Sequence, residues 1–223
     1  MTDIIPVITL DGPAASGKGT IAARVADALG FHYLDSGALY RIATLNALSK
    51  GIDLDDADAL TASAEKLEPV FEGGRILLEG RDVTTAIRAE EVSAATSRVA
   101  AVPGVRAALF ALQKNAARLP GLVADGRDMG TVVFPDAPLK IFMTATAAVR
   151  AERRYRQLLA RGEAADLVAL TTDLEERDRR DRQRAEAPLK PAEDARILDT
   201  SKMGIAEVVQ TVLGLWKDVS HQV

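Results

Sequence analysis

Val7-Ile8-Thr9-Leu10-Asp11-Gly12-Pro13-Ala14-Ala15-Ser16-Gly17-Lys18-Gly19-Thr20 is the stretch that decides the fold. Val7 to Leu10 is a short, mostly β-branched run, as expected of a buried parallel strand, and it stops abruptly at Asp11-Gly12-Pro13. From Thr20 to Leu29 the apolar residues Ile21, Val25 and Leu29 recur one helical turn apart, and Gly30 ends the pattern as a C-terminal glycine does. Strand, glycine-rich turn and helix in that order are the setting of a phosphate-binding loop. Glycines at 12, 17 and 19 let the backbone curl so that successive N–H groups of Gly12, Pro13's neighbours Ala14 and Ala15, Ser16, Gly17, Lys18, Gly19 and Thr20 surround a triphosphate, and the helix dipole adds positive potential. Lys18 neutralises the β and γ oxygens. An ordinary glycine-rich turn with an exposed lysine would share the composition but not the full spacing. The strict pattern places Ser or Thr directly after the lysine, whereas Gly19 stands there and the hydroxyl follows at Thr20.

Outward from this loop, Phe31 to Leu34 reads as a second strand and Leu39 to Leu48 as a helix closed by Lys50-Gly51. Between about Leu67 and Ile87 the character changes to short extended runs, Pro69 to Glu72 and Arg75 to Glu79, around Gly73-Gly74, which predicts a small antiparallel insert. Helix returns from Ala89, is interrupted at Pro103-Gly104 and resumes from Val105 to Arg118. Leu122 to Asp125, Leu139 to Met143 and Ala195 to Leu198 read as further strands, Arg150 to Arg184 as a charged helical stretch, and Ile205 to Trp216 as a last helix. Strands alternating with helices imply an α/β fold with a mainly parallel sheet. There is no internal repeat or low-complexity linker.

At 223 residues the chain suits one full-sized core with a modest insert or lid. Its formal net charge of −4 gives no footprint for nucleic acid or an anionic membrane, so an anion site has to be built locally. The absence of cysteine excludes disulfides, thiolate metal sites and thiol nucleophiles. No apolar run is long enough to span a bilayer, and Met1 to Pro6 lacks the pattern of a leader, so a soluble, unprocessed, cytoplasmic protein is expected. His32 and His221 have no partners suggesting a metal or a triad, and Trp216, with Ile205, Val208, Val209, Val212 and Leu213, reads as the apolar face of the last helix.

Phosphoryl transfer depends on alignment and charge neutralisation, so a second anion site is expected. In Leu34-Asp35-Ser36-Gly37-Ala38-Leu39-Tyr40-Arg41 a strand end meets a new helix whose free N–H groups suit a phosphate, with Ser36 donating and Arg41 clamping. Simple N-capping by Asp35 or Ser36 accounts for the pair but gives Arg41 no role. Ala124-Asp125-Gly126-Arg127-Asp128-Met129-Gly130-Thr131 follows a strand and places charge at the carboxyl edge of the sheet, where ligands bind. Arg127 suits a bridge between donor and acceptor phosphates, and Asp125 or Asp128 suits magnesium held through water; a surface turn carries such residues too.

Together the loop Gly12 to Thr20, Leu34-Asp35-Ser36-Gly37 with Tyr40-Arg41, the run Asp125 to Pro135 and Ala187-Pro188-Leu189 resemble the bacterial cytidylate kinases, in the same order and over essentially the whole chain. The Gly-Lys-Gly-Thr form itself resembles nucleoside-monophosphate kinases. The resemblance implies a P-loop sheet flanked by helices, with core about 1–63, 107–149 and 185–223, an acceptor-binding insert about 64–106 and a helical lid about 150–184. It implies transfer from ATP to CMP or dCMP with Mg2+ and a monomeric enzyme without nucleic-acid or membrane partners. It also implies that Ser36, Tyr40, Arg41, Arg127 and Asp181 hold CMP, that Ser97 and Arg106 read the cytosine, and that Lys18, Arg127, Asp128, Arg177 and Arg184 serve catalysis. No direct metal ligand is assigned; Thr20, which reaches either magnesium or a phosphate oxygen, and Asp125 are the candidates. Related kinases for UMP, AMP or a non-nucleotide acceptor, and a non-catalytic nucleotide-sensing module, are the competing readings.

The basic stretch admits two readings. Glu175–Arg179, Glu176–Arg180 and Asp178–Arg182 are favourable i,i+4 pairs of a solvated helix. Arg177, Asp181 and Arg184 share a different face, suited to a lid that closes over phosphates and excludes water.

Overall fold

The computed structural model describes residues 5–72 and 74–220, so Gly73 and His221 lie outside the described residues. In chain order the elements are β1 (Val7–Asp11), α1 (Lys18–Leu29), β2 (His32–Asp35), α2 (Ser36–Ser49), α3 (Ala57–Ala64), β3 (Val70–Glu72), β4 (Arg75–Leu78), β5 (Arg81–Asp82), α4 (Glu90–Val99) and α5 (Pro103–Lys114). There follow β6 (Leu122–Gly126), β7 (Leu139–Thr144), α6 (Ala147–Leu159), α7 (Leu167–Gln183), β8 (Arg196–Asp199) and α8 (Ile205–Ser220). A five-residue π turn, Met129–Val133, lies between β6 and β7.

The chain forms two compact units, one comprising the residues up to Asp35 and those from Asn115 onward, the other Ser36–Lys114. The first holds a five-stranded sheet in the order β2-β6-β1-β7-β8. All four pairings are parallel, with Ile8 opposite both Val123 and Leu139, as the strand–helix alternation predicts. β1 is central and every one of its residues is buried, which is why it reads as a continuous apolar run rather than an alternating one. Its core packs Ile8, Leu10, Ile141 and Met143 against Ile21 and Val25 of α1 and Val208, Val212 and Trp216 of α8. Phe31 meets Trp216 edge-on with 5.7 Å between ring centres. Ile205, expected on this apolar face, is instead exposed at the first turn of α8.

Several boundaries moved for identifiable reasons. α1 begins at Lys18, two residues before the periodic pattern, because the loop's own Gly17 takes the left-handed conformation that starts it, with φ 89°. Gly30 closes it, also left-handed, its N–H reaching the carbonyls of Ala26 and Asp27. Pro103 is the first residue of α5 rather than a break within a helix, the position where its missing N–H costs nothing. The charged stretch is two helices, α6 and α7, packed against each other.

In the second unit, β3, β4 and β5 make the small antiparallel sheet, Val70 opposite Leu77 and Leu78 opposite Arg81. α2 packs on α4 and α3 on α5, so this unit runs from 36 to 114, beyond the 64–106 expected for the insert. Helix α3, capped by the Asp56 carboxylate accepting from the Ala59 N–H, has no counterpart in the sequence reading; Leu60 and Ala64 are its only buried side chains, too few to show a period.

Candidate active site

β1 delivers its last residue, Asp11, and then the loop, to the carboxyl edge of the sheet, where β6 delivers Asp125 and Gly126. Lys18 is buried; its Nζ donates to the Pro13 carbonyl at 3.1 Å and lies 3.9 Å from Asp125 Oδ1. Burial disfavours both charged forms, so the Lys18 pKa is pulled down, further by Arg127, while that of Asp125 is pushed up. Each partner's charge works against those shifts without cancelling them. Tyr33 donates to the other Asp125 oxygen at 3.1 Å.

Gly19 explains the displaced hydroxyl. A Cβ there would sit 3.0 Å from Asp125 Oδ2 and 3.4 Å from the Tyr33 hydroxyl oxygen, so a side chain directly after Lys18 meets the carboxylate that pairs with it. The hydroxyl therefore moves on to exposed Thr20. Gly12 is equally constrained: its φ is +153°, and an added Cβ would collide with the Met143 carbonyl oxygen of β7.

The turn after β6 is fixed from β1. Asp11 accepts the Met129 N–H at 2.9 Å and the Gly130 N–H at 2.8 Å, one per carboxylate oxygen. The Asp128 carbonyl accepts the N–H groups of Val132 and Val133, closing the π turn, and the Asp128 side chain is buried. Burial raises the Asp11 pKa to about 7 against these two donors, with the Asp128 charge adding to the rise and Lys18 opposing it. In the sequence Asp11 reads as no more than part of a turn. Its signal was available: a lone carboxylate ending an apolar central strand is costly unless backbone donors meet it.

Arg127 turns toward α7, its Nε donating to Asp181 Oδ2 at 3.0 Å and its Nη1 to the Gly126 carbonyl at 3.3 Å. Burial alone would raise the Asp181 pKa, but Arg127, then Arg177 and Arg184, hold it below the usual value. That pattern places the charges of Arg177, Asp181 and Arg184 together, as their i, i+4, i+7 spacing predicts. The run Ala187 to Leu189 folds back on the end of α7: the Ala187 carbonyl accepts from Arg184 Nε at 2.6 Å and the Leu189 N–H donates to the Asp181 carbonyl at 2.8 Å.

The opposite flank of α7 behaves differently from expectation. Glu176 and Arg180 pair along the helix at 3.6 Å, but Asp178, expected beside Arg182, is buried and turns to Arg150 of α6 at 2.6 Å. This flank, with Glu175, Arg179 and Arg182, lines a cavity of about 480 Å³. Arg150 and Arg153, grouped by sequence with the lid arginines, are engaged with backbone carbonyls of the phosphate loop at Ala14 and Ser16.

In the second unit Ser36 is the first residue of α2, with Tyr40 and Arg41 one turn on. Ser36, Tyr40 and Ser97 are buried, and the Arg106 guanidinium lies over the Tyr40 ring, 5.7 Å from its centre. Tyr40 and Arg106 are thus brought together by α2 and α5.

A family model described as cytidylate kinase matches residues 8–218, from the second residue of β1 into α8. The chain belongs to the cytidylate kinase family. It is 57% identical over 215 residues to the cytidylate kinase of Stutzerimonas stutzeri (strain A1501), covering 94% of each chain. It is 56% identical over 212 residues to that of Bordetella bronchiseptica, covering 95% of each. With that of Pseudomonas aeruginosa (strain LESB58) it shares 52% over 219 residues, covering 96% of each. Among solved structures, a gluconokinase from Sinorhizobium meliloti 1021 matches at a TM-score of 0.50 with 16% identity, over 97% of this chain and 95% of that one. An uncharacterized protein from Eubacterium ventriosum matches at 0.54 with 11% identity, over 96% and 99%. At such identities the likeness to solved structures is one of fold.

Proposed function

We propose that this chain transfers the γ-phosphoryl group of ATP to CMP and dCMP, giving ADP with CDP or dCDP. The observation that carries the reading is the match to cytidylate kinases at 52–57% identity along nearly the entire chain. It is supported by a phosphate loop whose lysine is buried beside a carboxylate rather than exposed. An oxygen of the acceptor phosphate attacks the γ-phosphorus in line as the bond to the ADP oxygen breaks. Because a phosphate monoester loses its second proton near pH 6, no general base is needed, and the task of the protein is to suppress repulsion between anions.

In this reading Lys18 and the N–H groups of Gly12 to Thr20 hold the triphosphate, and Arg127, Arg177 and Arg184 neutralise the phosphoryl group in transfer. Ser36 and Arg41 grip the CMP phosphate together with Arg127, Ser97 and Arg106 read the cytosine edge, and Tyr40 orients Arg106. Asp181 meets the nucleotide sugar, and Asp128 sits beside the reacting groups. The donor set suits magnesium carried mainly by the nucleotide phosphates and water, since Thr20 and Asp125 supply one hydroxyl and one carboxylate and no cluster of three acidic or imidazole ligands occurs among the described residues. When bound, the ion would offset phosphate charge. Residues 150–184 act as a lid over the phosphates. Among the described residues no helix is long and apolar enough to cross a membrane; a monomeric, cytoplasmic enzyme is part of the proposal.

An acceptor panel with ATP tests the assignment. CMP and dCMP should be turned over well ahead of UMP and AMP; equal or better use of UMP or AMP would overturn the acceptor assignment, and binding of ATP with no turnover of any monophosphate would overturn the activity itself.

A further inference from the structure

A phosphate loop binds by aiming its N–H groups inward, which requires its carbonyls to turn outward and find donors elsewhere. Ala15, at φ 57°, and Gly17, at φ 89°, adopt the left-handed conformation that reverses the peptide direction along the loop. Three carbonyls of the loop are each met by a cationic side chain: Pro13 by Lys18 at 3.1 Å, Ala14 by Arg150 Nη1 at 3.1 Å, and Ser16 by Arg153 Nη1 at 2.8 Å. Arg150 and Arg153 stand i, i+3 on α6, so one helix face carries two of the three.

Arg150 is more than a surface arginine that happens to reach the loop. It is 4% exposed, and each nitrogen of its guanidinium has a separate acceptor. Nε donates to the Ala145 carbonyl at 3.0 Å, Nη1 to Ala14, and Nη2 to Asp178 Oδ2 at 2.6 Å. Asp178, itself 4% exposed, thereby fixes the guanidinium plane from α7. Ala14, Ala151 and Leu174 form a small apolar cluster at the same junction, so the loop, α6 and α7 are joined by packing as well as by polar contacts.

We propose that Arg150, oriented by Asp178, is a positioning residue for the donor triphosphate: it holds the Ala14 carbonyl turned out of the phosphate loop and so keeps the neighbouring N–H groups aimed at the phosphates. A buried ion pair is a poor source of stability compared with apolar residues of similar size, so its presence here calls for such a role. A lysine at 150 cannot serve, because an ammonium on a flexible stem lacks the planar fork that meets three acceptors at once. The proposal rests on the loop taking ATP.

The test is steady-state kinetics of two variants, Arg150→Lys and the double variant Arg150→Met/Asp178→Leu, alongside the unaltered protein. The double variant replaces both charges by apolar side chains of similar volume, so no unpaired charge is left in the packed α6/α7 junction; the Ala14 and Ala145 carbonyls lose a donor, so its thermal midpoint should fall only modestly and the protein stay folded. In both variants KM for ATP should rise about tenfold or more while KM for CMP stays within about twofold. A KM for ATP within about twofold of the unaltered protein in the folded double variant, or equal rises in both KM values, would overturn the proposal. Failure of the unaltered protein to show saturable dependence on ATP would instead overturn the donor assignment beneath it.

Discussion

Lys18 Nζ stands 3.9 Å from Asp125 Oδ1 with less than a tenth of either side chain exposed. The pair is held at the edge where burial lowers the pKa of the lysine and raises that of the carboxyl group. A triphosphate arriving beside Lys18 favours its charged form and pulls its pKa back up. ATP binding should therefore take up protons at slightly alkaline pH, where the empty site holds less than a full positive charge on Lys18. Calorimetric titrations at pH 8 in two buffers of different ionisation enthalpy should reveal the uptake, and it should vanish in Lys18→Met. The same substitution should lower kcat about 100- to 1,000-fold with the fold retained, as loss of one preorganised charge does. Near-normal turnover in Lys18→Met would refute the phosphate role.

Asp11 connects pH to stability. Its folded pKa of about 7 exceeds the ordinary 3.8, so between those values the folded protein holds a proton that the unfolded chain has released. Its contribution to stability is therefore greatest below about pH 4, declines as pH rises to about 7, and is level beyond. Asp11→Asn removes that decline. Urea midpoints at pH 5 and pH 8 should differ less in the variant than in the unaltered protein. Because asparagine can accept from only one of the Met129 and Gly130 N–H groups with its single carbonyl oxygen, the turn bearing Arg127 should shift and kcat fall about tenfold or more. A variant with the same pH slope as the parent would remove Asp11 as the origin of the effect.

Gly19→Ser would restore the strict phosphate-loop pattern, with a hydroxyl directly after the lysine. The structure predicts harm rather than benefit, because the new Cβ presses on Asp125 Oδ2 and on the Tyr33 hydroxyl. Displacing Asp125 disturbs the partner of Lys18, so kcat/KM for ATP should drop about tenfold or more. Tyr33→Phe in the same background relieves one of the two contacts and should recover part of the loss. Equal or improved activity in Gly19→Ser would show that position 19 has room for a side chain.

Asp181 is placed by the structure against Arg127 at 3.0 Å, a role distinct from contact with a nucleotide sugar. Asp181→Ala leaves the Arg127 guanidinium without that carboxylate in a site where the arginine is only 18% exposed. The expected cost is about 3 kcal/mol, the lower end for a broken buried pair. The depressed pKa of Asp181 means that its contribution is present above the ordinary carboxylate range and is lost as pH falls through the folded value. Denaturant titrations at pH 7 and at pH 3 check both statements. A variant as stable as the parent, altered only in KM for CMP, would leave Asp181 as a substrate contact alone.

The strands and helices were legible where one physical signal dominated. β1, β6 and β7 announce themselves as apolar runs because parallel strands are buried on both faces, and α1 is fixed by its period and by Gly30. Helix α3 was not legible, since a short helix that buries two side chains leaves no period to read. The compact unit Ser36–Lys114 was not legible for a related reason: apolar spacing tells which face of α2 is buried, but not that α4 packs on it.

Local spacing by itself determined the phosphate loop, because strand, glycines, lysine and the start of the helix lie within fourteen consecutive residues, and likewise the shared face of Arg177, Asp181 and Arg184. Resemblance along the chain supplied the acceptor, which no residue pattern alone names. What only the tertiary structure decided is which charges meet. Asp178 has a favourable neighbour at i+4, yet its carboxylate goes to Arg150, 28 residues earlier, and Asp11 finds its donors 118 and 119 residues later. The physical reason is desolvation. A carboxylate on the surface is content with water, so helical spacing suffices to guess its partner; once buried it must take whichever donors the fold brings within 3 Å, and those are set by how strands and helices pack rather than by distance along the chain.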